Sequence, residues 1–219
     1  MRPIIFILPL SILLGALFIL LSFFLETSFS NGFIVVGLCI LLGLAVKMMD
    51  ILIDEIKVKS YKIWIIPLGI FIPVSMAYLA LTEEPVIGMV IGAAIGLLLA
   101  AKLDHIMYKV SVVLFVILII IGYIFNIINV ETTTFYIIPI AAIGSFLDEF
   151  GHERWKSNKK IIMFILNHRF FLKSCAALGF ILGYANLFHL IGFLCFDIFY
   201  DIADLAFQNT KVSKKTIAA

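Results

Sequence analysis

Long apolar runs alternate with short polar segments along the whole chain. A helix that crosses a bilayer needs about 20 mostly apolar residues, and eight runs of about that length can be marked. They cover residues 4–25, 33–52, 63–81, 86–104, 110–129, 134–149, 161–183 and 187–206. The pattern therefore predicts an all-α fold, a polytopic bundle of about eight transmembrane helices arranged in four hairpins.

Composition supports a membrane protein. Hydrophobic residues make up 63% of the 219 residues and charged residues 14%, whereas soluble domains are typically about 45–50% apolar. Eight crossings leave room only for short loops, so we expect residues 1–219 to form a single integral membrane domain. The net charge of +2 gives no reason to expect nucleic-acid binding.

The positions of the basic residues predict the orientation of the chain. If the eight spans are threaded back and forth, all sixteen Lys and Arg residues fall on one side. The connecting segments on the other side, which contain no Lys or Arg, are 26–32, 82–85, 129–134 and 183–186. Because an excess of Lys and Arg in short loops marks the cytoplasmic face, we expect a multi-pass protein of the cell membrane with both termini in the cytoplasm.

The last two spans are the least regular. Asn167, His168, Arg169 and Lys173 interrupt the seventh span, and an alternative is that its first turns form an interfacial helix. The eighth span depends on a tight turn near residues 183–186. Without that turn the last two spans would fuse and the C-terminal lysines would lie on the outer face, so the charge pattern favours eight spans.

The even-numbered spans carry a weak internal repeat. Each has a glycine followed by an acid toward its cytoplasmic end: Gly43 and Asp50, Gly96 and Asp104, Gly144 and Asp148, Gly192 and Asp197. The repeat suggests four hairpins of similar design, although helices that leave a bilayer commonly end in polar residues. In the fourth span, Gly88, Gly92, Gly96 and Ala100 recur every four residues, a spacing that predicts close helix packing.

Two groups of acids share helix faces. Asp50 and Asp54 are four residues apart, and Asp197, Asp201 and Asp204 follow at i, i+4 and i+7. Asp197 is predicted near the middle of the hydrocarbon, where an ionisable side chain costs about 2.5–3.5 kcal/mol and indicates a functional site by default. The alternative is that Asp197 pairs with Lys47, Lys102 or Lys173 and only fixes helix packing. The candidate catalytic residues are Asp50, Asp54, Asp197 and Asp201.

The acids also suggest a divalent cation. Glu149 and His152 have the Glu-x-x-His spacing found in metal sites of helix bundles. Mg²⁺ prefers oxygen ligands and is commonly held by one or two carboxylates plus substrate phosphates. The predicted metal ligands are Asp50, Asp54, Asp148, Glu149, His152, Asp197 and Asp201.

Basic residues near the same side are candidates for binding phosphate. They are Lys159, Lys160, Arg169 and Lys173. An alternative is that these charges only hold the loop in the cytoplasm and contact anionic lipid headgroups.

The segment Asp50-Ile-Leu-Ile-Asp54-Glu55-Ile-Lys57 loosely resembles the first aspartate-rich motif of the UbiA-type intramembrane prenyltransferases, which also follows a second span. The second acidic motif of that family follows the sixth span, where this chain has Asp148, Glu149 and Glu153. The chain departs from the family in having Met49 in place of an Asn, in lacking the third Asp and in being short. The resemblance implies that Mg²⁺ helps to bind a prenyl diphosphate.

Three functions are consistent with the sequence. The leading hypothesis is a metal-assisted intramembrane enzyme that acts on a lipid or prenyl phosphate or diphosphate in an acidic cavity facing the cytoplasm. The second is a cation or proton-coupled transporter, and the third is a noncatalytic membrane subunit whose acids form interhelical salt bridges. The outer halves of the spans are nearly pure Ile, Leu, Phe and Val, which favours a one-sided site over a transport path.

Overall fold

A computed structural model describes residues 28–55, 62–100, 105–127, 132–154 and 170–217. This part of the chain is helical and contains no strand. Its seven α-helices are α1 (Ser28–Asp50), α2 (Ile65–Thr82), α3 (Glu84–Leu99), α4 (Ile106–Ile124), α5 (Thr132–Arg154), α6 (Phe170–Ile181) and α7 (Leu187–Ile217). A π-helical turn, Ile51–Glu55, continues α1. The predicted first span, 4–25, and the first part of the seventh, 161–169, lie outside the described residues.

By length and composition, four segments of the described chain can cross a bilayer. They are Gly32–Glu55, Ile65–Thr82, Ile106–Ile124 and Thr134–Gly151. Pro85–Leu99 and Phe170–Ile181 are apolar but shorter. The described part of the chain is therefore all-helical, with several helices able to cross a membrane, which indicates a membrane protein; eight spans in four hairpins remain a prediction.

The chain divides into two compact units. The terminal unit comprises the described residues of Met1–Ser75 and Ile191–Ala219, and the central unit is Met76–Leu190. Both boundaries fall inside helices, namely α2 and α7.

In the terminal unit, α1 and α7 pack closely and run parallel. Gly192 lies against Cys39, and one turn further along both helices Gly43 lies against the backbone of Phe196. A Cβ at Gly43 would collide with the Phe196 carbonyl oxygen, so the absence of a side chain permits this approach. The core side of α1 is a stripe at i, i+4, i+7 and i+11 of buried residues: Leu38, Leu42, Ala45 and Met49.

In the central unit, α3 and α5 also pack closely and run parallel. The predicted glycine stripe lies in their interface. Gly88 contacts Thr134 and Ile137, Gly92 contacts Ile138 and Ala141, and Gly96 contacts Ala142 and Ser145. The Ser145 hydroxyl donates to the Ala93 carbonyl oxygen at 3.2 Å. The prediction of close packing through this stripe is confirmed.

Helices α6 and α7 are separated by a short turn. Gly183 has φ +76°, the left-handed conformation that glycine adopts without strain. The Gly183 and Tyr184 amides bond to the carbonyl oxygens of Phe180 and Gly179, which is the hydrogen-bond pattern of a Schellman helix end. The turn predicted near residues 183–186 is therefore present, and α6 and α7 are separate helices.

Candidate functional site

The two acid runs of the terminal unit meet where α1 ends. The Tyr200 hydroxyl on α7 donates to Asp50 Oδ2 at 2.6 Å. A short hydrogen bond from a hydroxyl to a carboxylate is among the stronger ones in proteins. Gly43 lies against the Phe196 backbone about two turns before Asp50 on α1 and one turn before Tyr200 on α7, a contact that holds the two helices close together near this bond.

Lys47 joins the same cluster. Its Nζ lies 2.9 Å from Asp204 Oδ1 and 5.0 Å from the centroid of the Tyr200 ring, a distance suited to a cation–π contact. Asp204 also accepts from Gln208 Nε2 at 2.6 Å through its other oxygen. Contacts therefore run without a break from Asp204 through Lys47 and Tyr200 to Asp50.

Asp197 is the most deeply buried acid of α7, with only 4% of its surface exposed. It precedes Tyr200 by three residues, which corresponds to about 4.5 Å along the helix axis. Sequence reasoning offered pairing with Lys47 as one role for Asp197, and the structure shows Lys47 paired with Asp204 of the same helix.

Asp54 and Asp201 flank this cluster. Asp54 is exposed within the π-helical turn that follows Asp50, and Asp201 is half-buried on α7. A π turn bonds each amide five residues back and is frequent at functional sites. Among the four predicted catalytic residues, Asp50 is thus bonded to α7 through Tyr200. Tyr200 is the residue directly before Asp201, another of the four.

In the central unit, Asp148 caps a helix. Its carboxylate is buried, at 2% exposure, and accepts from the Phe171 amide at 3.0 Å and from the Leu172 amide at 2.7 Å. A carboxylate at this position satisfies amides that have no partner within the helix and interacts favourably with the helix dipole. Asp148 thus holds the start of α6, a role that sequence reasoning missed when it grouped Asp148 with the metal ligands.

Two of the remaining predicted site residues, Glu149 and Lys173, lie on helices of the central unit. Glu149 is half-buried on α5 and Lys173 is half-buried on α6. Lys159, Lys160 and Arg169 lie outside the described residues, as does the side chain of His152. Within the described parts of the chain, no group of three or more His, Cys, Asp or Glu side chains lies close enough together to hold a metal ion.

Comparisons with protein-family models, with curated proteins and with solved structures find no match to this chain.

A second polar cluster in the central unit joins the start of α3 to the start of α7. His189 Nε2 lies 2.8 Å from Glu83 Oε2, and only 3% of the His189 side chain is exposed. His189 Nδ1 accepts from the Asn186 amide at 3.1 Å, while Asn186 Oδ1 accepts from the His189 amide at 3.0 Å. Because Nδ1 accepts, the ring proton is assigned to Nε2, which donates to Glu83.

The sequence analysis did not identify Glu83 as a partner of His189. The Asn-x-x-His spacing does carry a signal, since it matches a capping box with His in place of Glu or Gln. The bond to Glu83 crosses 106 residues of sequence, and no local pattern indicates it.

Proposed function

We propose that the protein is an intramembrane enzyme that acts on a lipid or prenyl phosphate or diphosphate at the acid-rich end of the α1/α7 pair. The charge pattern predicts that this end faces the cytoplasm. The observation that supports the proposal most directly is the Tyr200–Asp50 hydrogen bond, because it joins the acid runs of two helices 150 residues apart in sequence.

The position of the cluster suits an amphiphilic substrate. A lipid phosphate has an apolar tail and a charged headgroup, and the cluster lies where two mainly apolar helices become polar. Asp50 and Asp54 would hold Mg²⁺ together with phosphate oxygens, since this ion needs only one or two carboxylates when phosphate supplies further ligands. When bound, Mg²⁺ would neutralise charge on the phosphate during transfer.

The cluster is also one-sided. Between residues 33 and 46, α1 contains no charged residue, and the same holds for residues 190–196 of α7. The charged side chains of this helix pair therefore gather at one end. This arrangement favours a site reached from one membrane face over a continuous path for an ion.

Burial of Asp197 favours a second candidate, a cation or proton-coupled transporter. A carboxylate deep in an apolar helix is expensive to keep charged, and transporters use such groups to bind and release a coupled ion. The third hypothesis is a noncatalytic membrane subunit, in which the Lys47–Asp204 pair only stabilises the helices.

Turnover measurements on purified protein in lipid vesicles test the proposal. Labelled prenyl diphosphate and labelled phosphatidic acid are offered with Mg²⁺ or with chelator. We expect Mg²⁺-dependent turnover that falls at least about 100-fold, on the scale of a lost transition-state electrostatic contact, in Asp50→Asn and Asp54→Asn. The matched control is Glu131→Gln, an acid of a predicted outer loop.

The same vesicles separate the alternatives. Ion or proton flux that disappears in Asp197→Asn, without any turnover, would establish the transporter. If neither turnover nor flux occurs and Asp50→Asn only lowers thermal stability, the results would support a noncatalytic membrane subunit.

A further inference from the structure

Two of the three cysteines of the chain lie where α1 and α7 approach closely. The Cys39 sulfur is 3.1 Å from the position that a Cβ on Gly192 would occupy, and Gly43, one turn further along α1, lies against the Phe196 backbone. Cys195 directly precedes Phe196, so it lies between these two contacts along α7. The thiols of Cys39 and Cys195 therefore belong to one section of the helix interface.

The spacing of the two helices in this section suits a disulfide. A disulfide joins Cβ atoms about 3.5–4.5 Å apart, and a Cβ at position 192 would lie 3.6 Å from the Cβ of Cys39. Cys195 follows this position by three residues, a spacing that places both on neighbouring parts of one helix side. The two thiols are near enough to each other to interact electrostatically, and neither is in a disulfide. Cys39 and Cys195 thus form a reduced dithiol pair.

The surroundings of the pair are apolar. Residues 33–46 of α1 and 190–196 of α7 contain no charged residue, and both cysteines are half-buried. Cysteines bind metal ions as thiolates, and charge is costly in an apolar setting. A disulfide carries no charge, so oxidation of the pair suits this location better than metal binding does.

An oxidant of this pair has to reach it through the lipid. A quinone is apolar and dissolves in the bilayer, and quinones of bacterial membranes accept electrons from protein dithiols. In the reaction, both S–H bonds break and one S–S bond forms. The two hydrogens pass as two protons and two electrons to the two oxygens of the quinone, which becomes a quinol.

We infer that Cys39 and Cys195 are a redox-active pair whose oxidation by a lipid-soluble quinone forms a disulfide across the α1/α7 interface. The disulfide goes beyond the proposed function and does not depend on it. It would join α1 covalently to α7 and so fix the contact that Gly43 and Gly192 allow. The competing explanation is that both cysteines serve only as small apolar side chains in this contact.

Oxidation of the full-length protein in nanodiscs tests the inference. Cys175→Ser leaves Cys39 and Cys195 as the only thiols. The reduced protein is incubated without oxygen with a short-chain ubiquinone analogue or with oxidised glutathione, and the intact mass after alkylation counts the remaining thiols. We expect the quinone to remove both thiols and to yield one quinol per protein, whereas charged glutathione leaves the thiols reduced. Peptide mapping should identify the bond between Cys39 and Cys195.

The matched control moves one thiol to an exposed position of the same helix. In the Cys175→Ser background, C195A/I198C keeps two cysteines and places the second at Ile198, a residue that is 52% exposed. Because groups that are held together react much faster than groups held apart, we expect disulfide formation in this variant to be at least about tenfold slower. A thermal melt of each variant verifies folding.

Three outcomes would overturn the inference. They are thiols that stay reduced in the presence of the quinone, equal rates in the parent and in C195A/I198C, and a bond between two protein molecules in place of the internal one. Oxidation by glutathione as fast as by the quinone would overturn the assignment of the oxidant.

Discussion

Single side chains in this protein connect separate helices. Tyr200 binds Asp50, Lys47 binds Asp204, and Asp148 caps the start of α6. In each case a carboxylate receives a hydrogen bond or a counter-charge, which the buried Asp148 needs most because an isolated buried charge is costly. The acids of the chain thus contribute to helix packing as well as to the proposed chemistry.

The Glu83–His189 contact gives a prediction at the residue scale. Because the backbone amide of Asn186 occupies His189 Nδ1, we expect His189 to be neutral. Glu83→Gln should then lower the free energy of unfolding by only about 1–2 kcal/mol, since the amide oxygen can still accept from Nε2. A protonated His189, whose side chain is buried, would lose its counter-ion in this variant, at a cost of up to about 3–5 kcal/mol.

Chemical unfolding of the purified variants in detergent measures this difference, with Glu84→Gln as the neighbouring control. A loss above about 3 kcal/mol in Glu83→Gln would contradict the neutral assignment. In a double-mutant cycle, Glu83→Ala and His189→Ala should be non-additive by about 0.5–3 kcal/mol.

Two parallel helix pairs organise the described elements, α1 with α7 and α3 with α5. Both pairs depend on glycines that bring backbones close together, an arrangement typical of membrane helices. The glycines of the internal repeat, Gly43, Gly96, Gly144 and Gly192, all lie at contacts with a neighbouring helix. This shared role gives the repeat a physical basis, because each acid follows a glycine that fixes the local helix contact.

Replacing Gly43 tests the importance of this contact. In Gly43→Ala, the added Cβ would meet the Phe196 carbonyl oxygen, so the helices must separate, and we expect a loss of about 1–3 kcal/mol in stability. The proposed turnover should fall as well, because separation moves Asp50 away from Tyr200. Gly179→Ala is the matched control, since nothing lies within 4 Å of a Cβ there. Equal stability of the two variants in thermal unfolding would refute a packing role for Gly43.

For the whole molecule, orientation in the membrane is the property that the proposed function requires. Segregation of the sixteen basic residues predicts eight spans with both termini in the cytoplasm. Helix α6 is 12 residues long, or about 18 Å, so a complete seventh crossing requires the preceding residues 161–169.

Single cysteines introduced into a cysteine-free variant test this topology. In intact cells, an impermeant maleimide should label cysteines that replace Glu84 and Thr133. Cysteines that replace Ser157 and Ser213 should react only after the membrane is permeabilised. External labelling at Ser213 would mean that one of the last two spans does not cross the bilayer.

The sequence by itself determined the class of the protein and several local features. Membrane-crossing helices can be predicted from apolar runs of bilayer length without knowledge of tertiary contacts, because a helix in lipid satisfies its own backbone hydrogen bonds. The turn at Gly183 and the glycine stripe of α3 were also predictable, since local backbone conformation and spacing along one helix produce them. The helix that contains the predicted eighth span continues beyond residue 206, to Ile217, because the hydropathy pattern marks where a helix leaves the lipid and not where its hydrogen bonding stops.

Only the tertiary structure decided which polar groups meet. The Tyr200 hydroxyl bonds to Asp50, and Lys47 pairs with Asp204. Sequence spacing identified Asp50 and Asp201 as candidates but not Tyr200, because the partner of a helix face depends on the register between two helices. That register follows from the contact of Gly43 with the Phe196 backbone, a contact between remote residues that no local pattern encodes.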